Sequence, residues 1–97
     1  MNKNENRNGE YVNVLYYDNY NKSYEEYYKD GKYHRENGPA RVQYYSNGNK
    51  EFEEYYKGGE LHREDYPSIL KYREDGSIKY EAYYKEGELY KEIYLNK

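Results

Sequence analysis

A block of 28 residues is written along this chain more than twice. Glu25-Glu26-Tyr27-Tyr28-Lys29 returns as Glu53-Glu54-Tyr55-Tyr56-Lys57, and again as Glu81-Ala82-Tyr83-Tyr84-Lys85. Behind the first two copies, His34-Arg35-Glu36 returns as His62-Arg63-Glu64, and Pro39 returns as Pro67. Twelve of 28 positions are identical between 25–52 and 53–80, and nine of 17 between 53–69 and 81–97. That is too many for chance, and a period of this length marks one supersecondary unit stacked on copies of itself. Residues 1–9 read as a polar, flexible tail. Residues 10–97 read as one domain: half unit 10–24, full units 25–52 and 53–80, half unit 81–97.

The unit is a hairpin of strands. Asp30-Gly31, Asn47-Gly48, Gly58-Gly59, Asp75-Gly76 and Glu86-Gly87 each sit between Tyr-rich or β-branched runs. Asn-Gly and Asp-Gly in that setting are strong hairpin signals. No apolar stripe of period 3.6 persists, which disfavours helix. A three-residue loop at Ser46-Asn47-Gly48 would set Val42 opposite Phe52, and likewise Leu70 opposite Tyr80 and Val14 opposite Tyr24. A two-residue turn there would face Val42 with Glu53 instead. Two-residue loops at the Lys-x-Gly turns would pair Tyr28 with Tyr33, Tyr56 with Leu61, and Tyr84 with Leu89. The nine residues 49–57 cannot pair fully with the fifteen of 32–46. The excess falls at Arg35–Pro39 and Arg63–Pro67, where proline lacks a ladder donor, so each long arm should break or bulge there. The expected fold class is all-β: a single-layer, twisted antiparallel meander of about seven to nine strands.

Composition fits a thin sheet. Tyr is 19 of 97 residues, with one Phe and no Trp, and aliphatic residues are few. Each aromatic ring buries on the order of 150–250 Å², so half-buried tyrosines can hold one layer together with their hydroxyls in water. Mean hydropathy is −1.66 and 36% of residues are charged, yet the aromatic content argues against disorder. Net charge is −3 with the signs mixed. No basic stripe exists, so direct nucleic-acid binding is not expected. Absence of Cys removes disulfides and thiolate metal sites. No apolar run is long enough to span a bilayer, and the first residues lack the apolar segment of a signal peptide. Neither membrane insertion nor a cofactor is expected, and the location inferred is cytoplasmic.

The unit Tyr-Tyr-Lys-x-Gly-x-Leu/Tyr-His-Arg-Glu-Asn/Asp-x-Pro, followed by Tyr-x-x-x-Gly, resembles MORN-type repeats. The core His34-Arg35-Glu36-Asn37-Gly38-Pro39-Ala40 is one mismatch from the "HREDGPA" core of a divergent branch found in giant-virus, phage and bacterial proteins. The second copy, His62 to Ser68, has Tyr66 where that core has Gly, and the third stops at Tyr90-Lys91-Glu92. The resemblance covers roughly 10–97. It implies stacked hairpins in one elongated sheet and no shared catalytic set. Related repeats occur in scaffolds, membrane-associated proteins and antitoxin-like proteins.

Candidate sites have two readings each. His34 and His62 could be metal ligands or acid–base groups. As repeat-equivalent residues, they could equally bond backbone or a carboxylate where the strand breaks. Two histidines a full repeat apart do not make the three or four converging ligands of a zinc site, so no metal and no catalytic residues are expected. Arg35/Glu36 and Arg63/Glu64 could form a recognition fork or a local pair fixing the bend. With Pro39 and Pro67 they form the structural core of the repeat. Adjacent Glu25-Glu26 and Glu53-Glu54 point to opposite faces of a strand and make no dyad. One tyrosine of each Tyr-Tyr pair should join an exposed row with Tyr11, Tyr17 and Tyr45. That places partner-binding residues at Tyr17, Tyr27, Tyr45, Tyr55 and Tyr83, with Glu60, Glu64 and Asp65 from the acidic half 53–97.

These features point to a non-enzymatic protein-binding module. The first expectation is a small acidic inhibitor or immunity-type protein, for example phage- or virus-encoded and acting in the host cytoplasm. Its partner would be a nuclease or a defence complex such as CRISPR, met by a Tyr-rich sheet face. The alternative is a scaffold that self-associates, for instance as a homodimer, through edge strands near 10–17 and 88–95.

Overall fold

The computed structural model describes residues 9–96. Ten strands follow the chain: β1 Glu10–Tyr16, β2 Lys22–Lys29, β3 Lys32–Tyr33, β4 Arg41–Tyr44, β5 Lys50–Glu54, β6 Tyr56–Lys57, β7 Glu60–Leu61, β8 Ile69–Tyr72, β9 Ile78–Lys85 and β10 Glu88–Tyr94. Seven of them lie side by side in the order β1-β2-β4-β5-β8-β9-β10, with β3 paired to the end of β2 and β6 paired to β7. All pairs are antiparallel. The sheet is open, with β1 and β10 at its two ends. Overall extents of 44 × 37 × 16 Å leave room for one backbone layer with side chains on both faces, since stacked sheets sit about 10 Å apart.

Two kinds of turn alternate. At the Lys-x-Gly turns both central residues have positive φ: Asp30 and Gly31, Gly58 and Gly59, Glu86 and Gly87. That is the requirement of a type I′ hairpin, and Tyr28–Tyr33, Tyr56–Leu61 and Tyr84–Leu89 pair as the two-residue loops require. At the other ends, residues 18–20, 46–48 and 74–76 form three-residue loops. Their closing bonds run from Tyr17, Tyr45 and Arg73 N–H to the Asn21, Asn49 and Ser77 carbonyls, each 2.8 Å. The third loop residue is left-handed in every case, as Gly48, as Gly76, and as Tyr20 at φ 72°.

The register expected beyond those loops is corrected. Tyr44 faces Lys50, as a three-residue loop dictates, but Gln43 then faces Phe52 and Val42 faces Glu53. Glu51 is an extra residue, a β-bulge that advances the strand by one. The same shift sets Leu70 opposite Glu81 and Val14 opposite Glu25, not opposite Tyr80 and Tyr24.

The long arms leave the sheet where the proline motif falls. Strand structure stops at Tyr33 and Leu61 and resumes at Arg41 and Ile69. Ala40 and Ser68 rejoin it: their carbonyls accept from Tyr27 and Tyr55 N–H, both 2.7 Å, and their N–H groups donate to Glu54 and Ala82. Residues 1–8 of the expected tail lie outside the described residues. Gly9 belongs to the fold, its carbonyl accepting the Asp30 N–H at 2.9 Å.

Candidate interaction surface

The bulged register lines up one residue from each of the seven side-by-side strands: Val14, Glu25, Val42, Glu53, Leu70, Glu81 and Ile93. Directly opposed residues share a face, so apolar and acidic side chains alternate across the whole sheet. This rung holds three buried side chains. Val42 is buried, and Glu25 and Glu53 are only 7% and 6% exposed.

Such carboxylates need partners. Glu25 Oε2 accepts from Lys22 Nζ at 3.2 Å and the Tyr27 hydroxyl at 3.1 Å, and its Oε1 from the Tyr44 hydroxyl. Glu53 repeats the pattern with Lys50 Nζ at 2.6 Å on Oε2 and the Tyr72 hydroxyl at 2.5 Å on Oε1. Burial opposes ionisation of Glu25, but the bonds from Tyr44 and Lys22 outweigh it and hold the carboxyl below the ordinary range. Burial, then the bond to the carboxylate, pushes the Tyr44 and Tyr72 phenols well up. Glu81, half-buried on the same rung, receives neither a hydrogen bond nor an ion pair among the described residues.

The opposite face is closed on itself. Glu26 accepts from the hydroxyls of Tyr24 at 2.8 Å, Tyr28 at 2.9 Å and Tyr33 at 3.0 Å, and from Asn13 Nδ2 at 3.2 Å. These bonds hold its carboxyl low against the cost of burial. Arg41 bonds the Tyr24 hydroxyl at 2.9 Å and Glu54 at 2.7 Å. Tyr11, Tyr28, Tyr33 and Tyr56 run as a row of neighbouring rings with centroids 5.3, 4.8 and 5.0 Å apart.

The expected exposed tyrosine row does not form. Tyr11 belongs to the Glu26 face, whereas Tyr27 and Tyr55 lie on the Glu25 face beneath guanidinium groups, with Arg35 and Arg63 each 3.8 Å from the ring centroid. Tyr83 lies under Lys91 Nζ at 4.9 Å and beside the Tyr90 ring at 6.0 Å. Tyr17 and Tyr45 donate their hydroxyls to the Tyr44 and Tyr72 carbonyls, at 2.5 and 2.7 Å, and so tie successive loops together. The reason is local chemistry: Tyr11 stacks on Tyr28, and each of the other rings has a cation or carbonyl within reach.

Glu60 and Glu64 are exposed, as is Asp65, which is left-handed at φ 65°. Glu64 meets His62 at 3.1 Å and Lys85 at 3.5 Å, and the Lys85 charge is the main influence holding its carboxyl low. The motif histidines link hairpins. His34 Nδ1 accepts the Gly58 N–H and His62 Nδ1 the Glu86 N–H, both at 3.0 Å. Each Nε2 faces a carboxylate, Glu36 at 2.8 Å or Glu64 at 3.1 Å. With Nδ1 accepting, each ring carries its N–H on Nε2, facing the carboxylate. Arg35 and Arg63 close the loop by donating to the Pro39 and Pro67 carbonyls at 3.3 and 3.2 Å. Among the described residues no three His, Cys, Asp or Glu are grouped to hold a metal.

Exposed large apolar side chains concentrate at the two ends. Leu15, Tyr16 and Tyr20 flank β1, and Leu89, Tyr90, Tyr94 and Leu95 line β10, with Tyr66 alone between them. Sequence reasoning looked for the exposed tyrosines at Tyr17, Tyr27, Tyr45, Tyr55 and Tyr83 instead. The available signal was the third copy, where Tyr90-Lys91 replaces the His-Arg motif. No family model matches this chain, and neither a curated protein nor a solved structure does.

Proposed function

We propose that this chain is a non-catalytic protein-binding module of MORN-like repeat build. It works as a small acidic inhibitor or immunity-type protein that occludes the working surface of a partner such as a nuclease or defence complex. The observation that carries the reading is the distribution of exposed apolar side chains. Interior tyrosines are engaged by arginines, carboxylates and carbonyls, so the aromatic area left for a partner lies at the sheet ends. Tyrosine is a favoured hot-spot residue, and a face of 44 × 37 Å exceeds the roughly 800 Å² that one partner contributes to a standard interface. The repeat reading is supported by bonds that recur 28 positions on: Tyr44–Glu25 with Tyr72–Glu53, and Arg35–Pro39 with Arg63–Pro67.

A second reading, a self-associating scaffold, is favoured by Leu89, Tyr90, Tyr94 and Leu95 on and beside the terminal strand, because edge strands invite pairing with another chain. Affinity capture from host lysate separates the two, run beside a Tyr90→Ser/Tyr94→Ser variant. The inhibitor reading expects a nuclease or defence subunit held by the wild type, lost by the variant, and inhibited by added protein. Recovery of the chain alone, with a mass that grows with concentration, selects the scaffold. Recovery of nothing by a protein that stays monomeric overturns both.

A further inference from the structure

Two of the three carboxylates on the alternating rung are completed within the chain, and the third is not. Lys22 and Lys50 stand three residues before Glu25 and Glu53; Ile78 stands three residues before Glu81. Tyr44 and Tyr72 stand two residues beyond the rung residues Val42 and Leu70; Leu95 stands two beyond Ile93. Both donors are lost together and both are replaced by aliphatic residues. Glu81 is thus a half-buried carboxylate between Leu70 and Ile93, with its side chain unbonded among the described residues. Its oxygens are not sealed off, since among the described residues no buried polar side-chain atom lacks a partner.

We propose that Glu81, with Leu70, Ile78 and Ile93 around it, is the docking point for a lysine or arginine side chain of a protein partner. The inference rests on the protein-binding reading above and adds the chemistry of what is bound. The molecule displays the ligand twice: a lysine ammonium on one oxygen of Glu25 and Glu53, and a phenol hydroxyl on the other. Aliphatic flanks suit the stem of a long basic side chain, whose charged head then meets the carboxylate. A partly desolvated carboxylate without a donor regains by such a contact what burial removed.

The test uses the full chain and two peptides, acetyl-Leu-Lys-Tyr-amide and its control acetyl-Leu-Gln-Tyr-amide, followed by amide chemical shifts. The lysine peptide should move the signals of Leu70, Glu81 and Ile93, and the control should bind roughly fivefold more weakly, the upper range for one partly exposed ion pair. The response should vanish in Glu81→Gln. It should also vanish in Ile78→Lys, which fills the position from within and leaves Glu81 in place. Equal response to both peptides, no response, or an unchanged response in Glu81→Gln overturns the proposal. A partner captured equally by wild type and Glu81→Gln protein overturns it too, and leaves the protein-binding reading standing. A Glu81-dependent peptide response with no captured partner does the reverse.

Discussion

The internal hairpins and the terminal hairpin begin alike and end differently. β2 turns at Asp30-Gly31, pairs briefly with β3, and the chain then leaves the sheet over 34–40 before returning as β4. β9 turns at Glu86-Gly87 and runs straight back as β10, with only a bulge at Tyr90. Glu92, Ile93 and Tyr94 face Ala82, Glu81 and Tyr80 just as Arg41, Val42 and Gln43 face Glu26, Glu25 and Tyr24. The excursion therefore adds nothing to the strand pairing. It lays an arginine on the Tyr27 or Tyr55 ring and offers an imidazole to the next turn. The carbonyls of Tyr33 and Leu61 then accept the Gly59 and Gly87 N–H groups. The terminal hairpin has no excursion and, among the described residues, no following turn. Leu89, Tyr90, Tyr94 and Leu95 stay exposed, and the side chain of Glu81 has no partner among the described residues.

The largest expected effect is alkaline unfolding. Burial, then bonds to neighbours, raises the phenols of Tyr24, Tyr28, Tyr44 and Tyr72, and the bond to Glu92 raises Tyr80. A group raised in the folded state gives its full stability below its unfolded value, about pH 10 for tyrosine, and loses it as pH climbs. Ionisation of these five phenols, followed by their ring NMR signals, should coincide with loss of the β-sheet circular dichroism. Ionisation of these five phenols in the still-folded protein would break the comparison, because four of them belong to the internal hairpins.

The rung sharpens it further. Glu25→Gln or Glu53→Gln should cost about 2 kcal/mol in urea denaturation, because charge-assisted bonds from Lys and Tyr are lost. Glu81→Gln should stay within about 0.5 kcal/mol, as for a side chain with no partner. On the acid side, Glu25 is lowered when folded, so its contribution is present above the ordinary glutamate value of about 4.3 and is lost as pH falls. Glu25→Gln should flatten that acid limb.

Smaller effects follow at the links and loops. His34→Ala and His62→Ala should each cost about 1 kcal/mol, with faster amide exchange at Gly58 and Glu86 respectively. Tyr20→Gly should stabilise by about 1 kcal/mol, since a left-handed side-chain residue is strained where the other loops have Gly48 and Gly76. A destabilised Tyr20→Gly protein would mean that the 88% exposed ring holds the loop after all.

Much of this was legible in the residues. Glycine placement fixes the turns, and a two-residue loop leaves one register, so Tyr28–Tyr33 and its two counterparts could be read directly. The excess length of the proline arms announced the excursions. The bulges at Ser23, Glu51 and Lys79 carry no signature, because an extra residue opposite a strand depends on how loop and sheet twist fit together. Without them the alternating rung is invisible, and so is the meeting of Glu25 with Tyr44. The tyrosine faces were misplaced for a related reason. Whether a ring is bare or covered depends on Arg35 or Arg63 folding back over it, a contact the sequence spacing does not encode.

The claim that the terminal hairpin is incomplete where the internal ones are complete is tested most directly by a double-mutant cycle of Ile78→Lys and Glu81→Gln. Ile78→Lys restores the donor that Lys22 and Lys50 supply to Glu25 and Glu53. A favourable coupling of about 0.3–1 kcal/mol, present with Glu81 and absent in Glu81→Gln, is the predicted result. A coupling of zero would mean that Glu81 is not positioned as Glu25 and Glu53 are, and would contradict the account.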